Sequence, residues 1–342
     1  MEVRVREPWA DIARGFAIVT VIFFHVVLAL DAIGDVHGKV FVLIHVFAPI
    51  PMALFFFVSG LFSKKLVRGG LSSPLGFRVL DLFYVFVVWS LIEAFIRTAI
   101  SGSVGHFDPV GYLINPISNL WFIWALVLFT LVSAMCSGRS AAVLMVAAAF
   151  ISLCSFTNVL VLDNLVHNHV AKYAVFFFVG VFAVDLAGVS KLKSIPVFGV
   201  LALIYVMVTI GLAGKFSEGL NGFVFALLTW IAVPTAISGC YVLGKINAVR
   251  VVIGWFGKNS LGLYVGHPIA IMLLMVGYQQ LVPIDGEPAL VSAFVLTLMA
   301  IAFSVGLLMI ASFCGFKALY QAPRSIIDRI AMLIVRPRSV PL

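Results

Sequence analysis

The sequence predicts an all-α, polytopic membrane protein of about ten transmembrane helices with both termini in the cytoplasm. Hydrophobic residues make up 63% of the 342-residue chain and charged residues only 11%, at a mean hydropathy of +1.18. A soluble domain holds roughly 45–50% apolar and about 25% charged residues, so this chain has too little polar surface to cover a globule in water. The apolar runs are much longer than the ~10 alternating residues of an outer-membrane barrel strand, which leaves helices as the spanning element. The Lys and Arg residues, finally, sort onto alternate connections.

Crossings of about 20 apolar residues are expected. They fall near residues 9–30, 40–62, 77–100, 117–136, 141–161, 170–187, 196–213, 220–242, 259–280 and 289–312. The first run makes a helix of about 33 Å and is expected to be retained rather than cleaved as a leader, because more spans follow. Connections are short and rich in turn formers, as at Gly69-Gly70 and Asp285-Gly286. No long linker, fixed-period repeat or low-complexity tract interrupts the pattern. Residues 1–342 are therefore expected to form a single membrane domain, with core helices over about 9–312 and a basic cytoplasmic tail over 313–342.

This frame puts sixteen Lys and Arg residues on the side of the termini, among them Lys64, Lys65, Arg68, Arg139, Lys191 and Lys193, and only Lys39 and Lys215 on the other. An error of one helix would scramble that partition, so the count and the cytoplasmic termini are a single prediction. It also accounts for the net charge of +8, which implies no nucleic-acid partner. Cys136, Cys154, Cys240 and Cys314 are widely spaced without a CxxC, so neither a disulfide framework nor a zinc site is expected.

Ionisable side chains inside a span cost about 2.5–3.5 kcal/mol each on insertion scales, so each needs an account. The first span holds Asp11, Arg14 and His25; the third holds Asp81, Glu93 and Arg97; the sixth begins with Lys172; the ninth holds His267. Arg14 and His25 lie eleven positions apart, which returns to within ~20° of the same helical face and places His25 roughly 16 Å further from the cytoplasm. By periodicity alone His25 serves equally as an interhelical hydrogen-bonding group or as a base, and Arg14 as an interface anchor. Glu93 occupies the same position in its span as His25 in its own. At matched depth it would orient His25 as an acid orients a general base, or it pairs locally with Arg97 one turn on. His167 and His169 are expected in a solvated external loop, since an HxH pair without a third ligand makes no metal site. Gly257-Lys258-Asn259-Ser260 echoes a phosphate loop but lacks its spacing and its preceding strand.

The run from Trp9 to Ile18, continued to Phe24-His25, resembles the first helix of the acyltransferase 3 family of membrane O-acyltransferases, marked by a basic residue, ten others and a histidine. Arg14 and His25 match it. Leu54-Phe55-Phe56-Phe57-Val58-Ser59-Gly60 is similar to the family's FFxxSG, Leu120-Trp121-Phe122-Ile123 to its LWFL, and Phe176-Phe177-Phe178-Val179-Gly180 to its sixth-helix FxxG. Gly257-Lys258-Asn259-Ser260-Leu261-Gly262-Leu263-Tyr264-Val265-Gly266-His267 is similar to its GxxSLxxYxxH. Two departures stand out. The family's Arg-x-x-Arg entering helix three reads Arg78-Val79-Leu80-Asp81 here, and Pro51-Met52-Ala53 stands where some glycan-acetylating members carry His-Met-Pro.

The resemblance implies transfer of an acyl group, acetyl from acetyl-CoA foremost, onto a hydroxyl of a glycan or lipid-linked sugar at the bacterial inner membrane. Acyl-CoA is then a co-substrate, and no tightly bound cofactor or metal is expected. Neutral histidine, with an ordinary pKa near 6.5, suits His25 to take the hydroxyl proton, with Arg14 and Glu93 as its partners in the site. Cytoplasmic Arg14, Arg78, Lys64 and Lys65 would hold the donor's phosphates. Ser59, Trp121 and Ser260 would shape the pocket, or serve as a belt aromatic and two packing residues, and His267 is the alternative base. Glycan-synthesis machinery is the expected protein partner. Two rival classes fit buried His, Glu and Arg on ten helices: a proton-coupled secondary transporter, disfavoured by the missing repeat halves, and a non-catalytic membrane partner of a glycan-synthesis enzyme.

Overall fold

A computed structural model describes residues 8–34, 40, 44, 46–68, 74–101, 111, 119–212, 218–281 and 289–325, and among them there is helix and turn but no strand. The helices are α1 (Pro8–Asp31), α2 (Pro51–Arg68), α3 (Pro74–Ser101), α4 (Trp121–Met135), α5 (Gly138–Phe156), α6 (Leu165–Phe182), α7 (Leu186–Ser190), α8 (Ile195–Leu212), α9 (Glu218–Leu243), α10 (Asn247–Lys258), α11 (Ser260–Leu281) and α12 (Ala289–Phe313). A 3₁₀ turn, Lys317–Leu319, follows. Proline opens α1, α2 and α3, where its fixed φ suits the first turn and its missing N–H costs nothing.

Among the described residues seven helices, α1, α3, α5, α6, α9, α11 and α12, are long and apolar enough to cross a membrane. The other three expected spans are also helical: α4 and α8 are apolar but shorter, and α2 ends in the basic run Lys64-Lys65-Leu66-Val67-Arg68. Large exposed apolar side chains, such as Phe150, Val146, Leu203, Leu298 and Ile310, cover the outer faces of α5, α8 and α12, as a bilayer environment requires. Residues 41–43 and 45 of the expected second span lie outside the described residues, as do 1–7, Lys39, Lys215 and the tail beyond 325.

Three boundaries differ from expectation. The expected second span is interrupted: Val40, Ile44, Val46 and Phe47 are helical, Ala48-Pro49-Ile50 turn the chain, and α2 starts at Pro51. The fifth stops at Phe156, and Asn158 turns the chain in the left-handed region (φ 58°) that an Asn side chain tolerates. The sixth begins five residues early because the Asn164 side chain accepts the Val166 N–H at 2.7 Å and caps it. His167 and His169 consequently lie on helix α6, correcting the expected solvated loop. An unexpected element is α10, twelve residues long. It is too short to span and carries Arg250 and Lys258, so it reads as a basic connection, yet Val249, Ile253 and Phe256 form an inward stripe.

Helix α1 is the axis of the bundle, packing on α2, α9, α10, α11 and α12. Close backbone contacts set the crossings. A Cβ on Gly257 would lie 1.7 Å from the Asp11 carbonyl oxygen, and one on Gly15 would lie 1.9 Å from that of Ile253. At the α2–α6 crossing a Cβ on Gly60 would meet the Phe177 oxygen at 2.1 Å, and one on Gly180 the Phe57 oxygen at 2.4 Å. In lipid, helices associate through such small-residue contacts because no hydrophobic force drives apolar faces together. Beside this crossing, fully buried Phe56 packs its ring on those of Trp121, Phe122, Phe129 and Tyr173.

The segment after α12 is strapped to α3. Trp89 Nε1–H donates to the Leu319 carbonyl at 2.6 Å, the Trp89 and Tyr320 rings lie 5.4 Å apart, and Asp81 Oδ1 accepts the Ala322 N–H at 2.7 Å. Asp81, where the resembling family carries a second arginine, thus anchors chain rather than ligand.

Helices α2, α6 and α9 run opposite to α1. Trp9 at the start of α1 packs on Phe62 and Tyr241 near the ends of α2 and α9, while the later half of α1 meets the first turns of α2, α4, α6 and α9. Lys64, Lys65, Arg68 and α10 sit at the first end; the cavity described next sits at the second.

Candidate active site

A cavity of about 580 Å³ opens between α1, α2, α4, α5, α6 and α9, within the roughly 300–1,000 Å³ usual for small-molecule sites. From α1 come Thr20, Phe24 and His25; from α4, Trp121; from α6, His169, Lys172 and Tyr173; from α9, Asn221, Phe225 and Leu228. Asn158, in the turn after α5, completes its polar lining.

His25 is half-buried and lines the cavity, with fully buried His267 behind it. His25 Nδ1 lies 3.2 Å from His267 Nε2, and the two rings stack with centroids 5.1 Å apart and planes 28° from parallel. One nitrogen must donate and the other accept. If His25 donates from Nδ1, its Nε2 keeps a free lone pair and can act as a base. Pro268 favours this arrangement: it has no N–H to offer the carbonyl four residues back, that of Tyr264. His267 Nδ1, outside hydrogen-bond geometry to any described group, has the Tyr264 and Leu263 carbonyls beside it. A proton on Nδ1 leaves His267 Nε2 as the acceptor for His25.

Tyr264 fixes the other side of His267. Their ring centroids lie 5.5 Å apart, and the buried Tyr264 hydroxyl donates to the Asn119 carbonyl and accepts the Phe122 N–H at 3.3 Å. The tyrosine and histidine of the YxxH stretch, one turn apart on α11, thereby tie the dyad to the start of α4. Trp121 stacks on His169 (5.2 Å, 23°), and Trp124 on His167 (5.9 Å, 29°), which is how these histidines are accommodated on a helix instead of in solvent.

The structure gathers His25, His267 and Trp121 at or beside the cavity and leaves the other expected site residues elsewhere. Glu93 is buried and its Oε1 accepts from Arg97 Nη2 at 2.9 Å, the local pairing of the two readings; it also lies within electrostatic range of Tyr264. The ring nitrogen contacting His25 belongs to His267. Arg14, at the far end of α1, pairs with buried Asp11 at 3.6 Å and lies over the Phe62 ring, 5.1 Å from its centre. Lys64 Nζ donates to the Val184 carbonyl at 3.0 Å, satisfying the end of α6. Lys65 and Arg78 are exposed at the ends of their helices, and Arg78 faces Asp81. Ser59 stands at the α2–α6 crossing, its carbonyl accepting from Ser63 Oγ at 2.7 Å, and Ser260 opens α11. None of these lines the cavity. Asn158, His169, Lys172, Tyr173 and Asn221 line it without having been expected there; Lys172 inside an apolar span and the His167-Asn168-His169 pair were the signals pointing to them.

Among the described residues no three His, Cys, Asp or Glu side chains group as a metal site. No curated protein and no solved structure matches the chain. The acyltransferase-domain family model of the acyltransferase 3 family matches residues 7–309, nearly the whole helical bundle, including the histidine dyad and the glycine crossings. This chain belongs to the acyltransferase 3 family of membrane acyltransferases.

Proposed function

We propose that the protein is an O-acyltransferase of the bacterial inner membrane that moves an acyl group, acetyl from acetyl-CoA, onto a hydroxyl of a cell-envelope or exported glycan. The observation that carries this reading is His25 on a cavity wall with a second imidazole behind it. An acceptor hydroxyl in the cavity gives its proton to His25 Nε2 as its oxygen attacks the thioester carbonyl. The imidazolium that forms is held through Nδ1–H by His267 Nε2. Collapse of the tetrahedral intermediate breaks the carbon–sulfur bond, and the CoA thiolate takes the proton from His25. Arg14, eleven residues and roughly 16 Å along α1 from His25, stands with Lys64 and Lys65 at the end where the basic connections gather, and would hold the donor's phosphates while the pantetheine arm reaches inward.

The test is transfer of label from acetyl-CoA to envelope glycans by the purified protein in lipid. Label transfer by the wild type that disappears in His25→Ala supports the proposal. Absence of both transfer and CoA release from wild type, with acceptors prepared from a strain lacking the gene, overturns it.

A further inference from the structure

Lys172 is an ionisable residue of a membrane-spanning helix, α6, that has no part in the proposed acyl transfer. It lines the cavity from α6 with Nζ 5.7 Å from the centre of the Phe156 ring, and its backbone is pinned by Ser152 Oγ, which donates to the Lys172 carbonyl at 2.6 Å. Among the described residues that line the cavity none is acidic, and among the described residues none forms an ion pair with Lys172. A cation at membrane depth facing a cavity needs a partner. Among the described residues the contact recorded for its ammonium group is an aromatic face, which leaves the group open to an anion in the cavity.

The surroundings specify its charge and place. His169, one turn before Lys172 and stacked on Trp121, lines the same cavity as Lys172 and His25. The first turns of α2 and α9 contribute Pro51 and Asn221 to the same cavity, and the positive end of the α2 dipole adds to the field of the lysine. Much of the remaining wall is apolar, including Phe47, Met52 and Phe225.

We infer that Lys172 binds an oxyanion of the acceptor, a carboxylate or a phosphate, and thereby turns an acceptor hydroxyl toward His25. The term acceptor rests on the acyl-transfer reading; the anion site does not. A uronic acid supplies a carboxylate on the sugar, and a lipid-linked sugar supplies a phosphate at the junction of sugar and apolar chain. Both present the same chemistry to the ammonium group.

Full-length protein in lipid nanodiscs is dialysed against labelled methyl glucuronide or methyl glucoside, which differ in a carboxylate, and against farnesyl phosphate or farnesol, which differ in a phosphate, with empty nanodiscs as the blank. In at least one pair the anion binds about tenfold more tightly or better than its neutral partner. Lys172→Met abolishes that preference and Lys172→Arg keeps it; Lys172→Gln replaces Lys172→Met if the latter does not accumulate. The pair that responds identifies the source of the anion. No preference in either pair, or a preference that survives loss of the charge, overturns the inference. Binding is read without donor, so a chain that passes this test but transfers no acyl group refutes the acyl-transfer reading alone, and an active enzyme that fails it refutes the anion site alone.

Discussion

His25 Nδ1 lies 3.2 Å from His267 Nε2, so the tautomer of the buried ring bears on which nitrogen of the cavity-facing ring is free to take a proton.

This relationship orders a set of substitutions. Loss of a positioned general base costs about 10²–10⁴ in rate. His25→Ala is therefore expected to accumulate and insert like wild type yet lose turnover on that scale at saturating donor and acceptor. His267→Ala removes only the ring that orients it and falls between His25→Ala and wild type, while Glu93→Gln, whose amide oxygen can still accept from Arg97, stays within severalfold of wild type. His25→Ala turnover above about a tenth of wild type removes it as the base.

The glycines at the α2–α6 crossing give a second expectation. A methyl group on Gly60 or Gly180 enters the carbonyl of the facing helix, so Gly60→Ala and Gly180→Ala should each destabilise the protein by about 1–3 kcal/mol as the helices part. Because one separation accommodates both methyls, the double variant should lose less than the sum. Melting temperatures of the purified variants in one detergent read this, and strict additivity would show that the two sites do not share a contact.

Arg14 tests the donor end. With Asp11 buried beside it, Arg14→Ala is expected to raise the Michaelis constant for acyl-CoA about tenfold, the loss of one charge-assisted contact, with a smaller change in turnover. An unchanged constant removes Arg14 from donor binding.

Topology follows from the sorted basic residues. Reporter fusions at Gly70, Ser190 and the C-terminus should report cytoplasm, and fusions at Gly34, Asp163 and Gly286 the opposite side. One reversal breaks the ten-span arrangement.

The apolar runs, the polar exceptions within them and the ordered motifs were legible in the sequence because burial in lipid is imposed locally, one helix at a time. Even the glycines of the FFxxSG-like and FxxG-like stretches were legible as signals, although only the packed structure shows that they are two halves of one helix crossing. Depth, too, could be counted along each helix, and it put Glu93 level with His25. Depth is one coordinate; which face each helix turns to which neighbour is another, and no periodicity within a helix specifies it. The tertiary structure gave His25 a partner 242 residues away in His267, paired Glu93 with Arg97, and rotated α6 so that His169 and Lys172 face the cavity. It also folded a basic connection into α10, whose Gly257 meets the α1 backbone at Asp11. Such choices are made by contacts between helices far apart in sequence, where one missing Cβ or one capping side chain decides how closely and at what angle two helices meet.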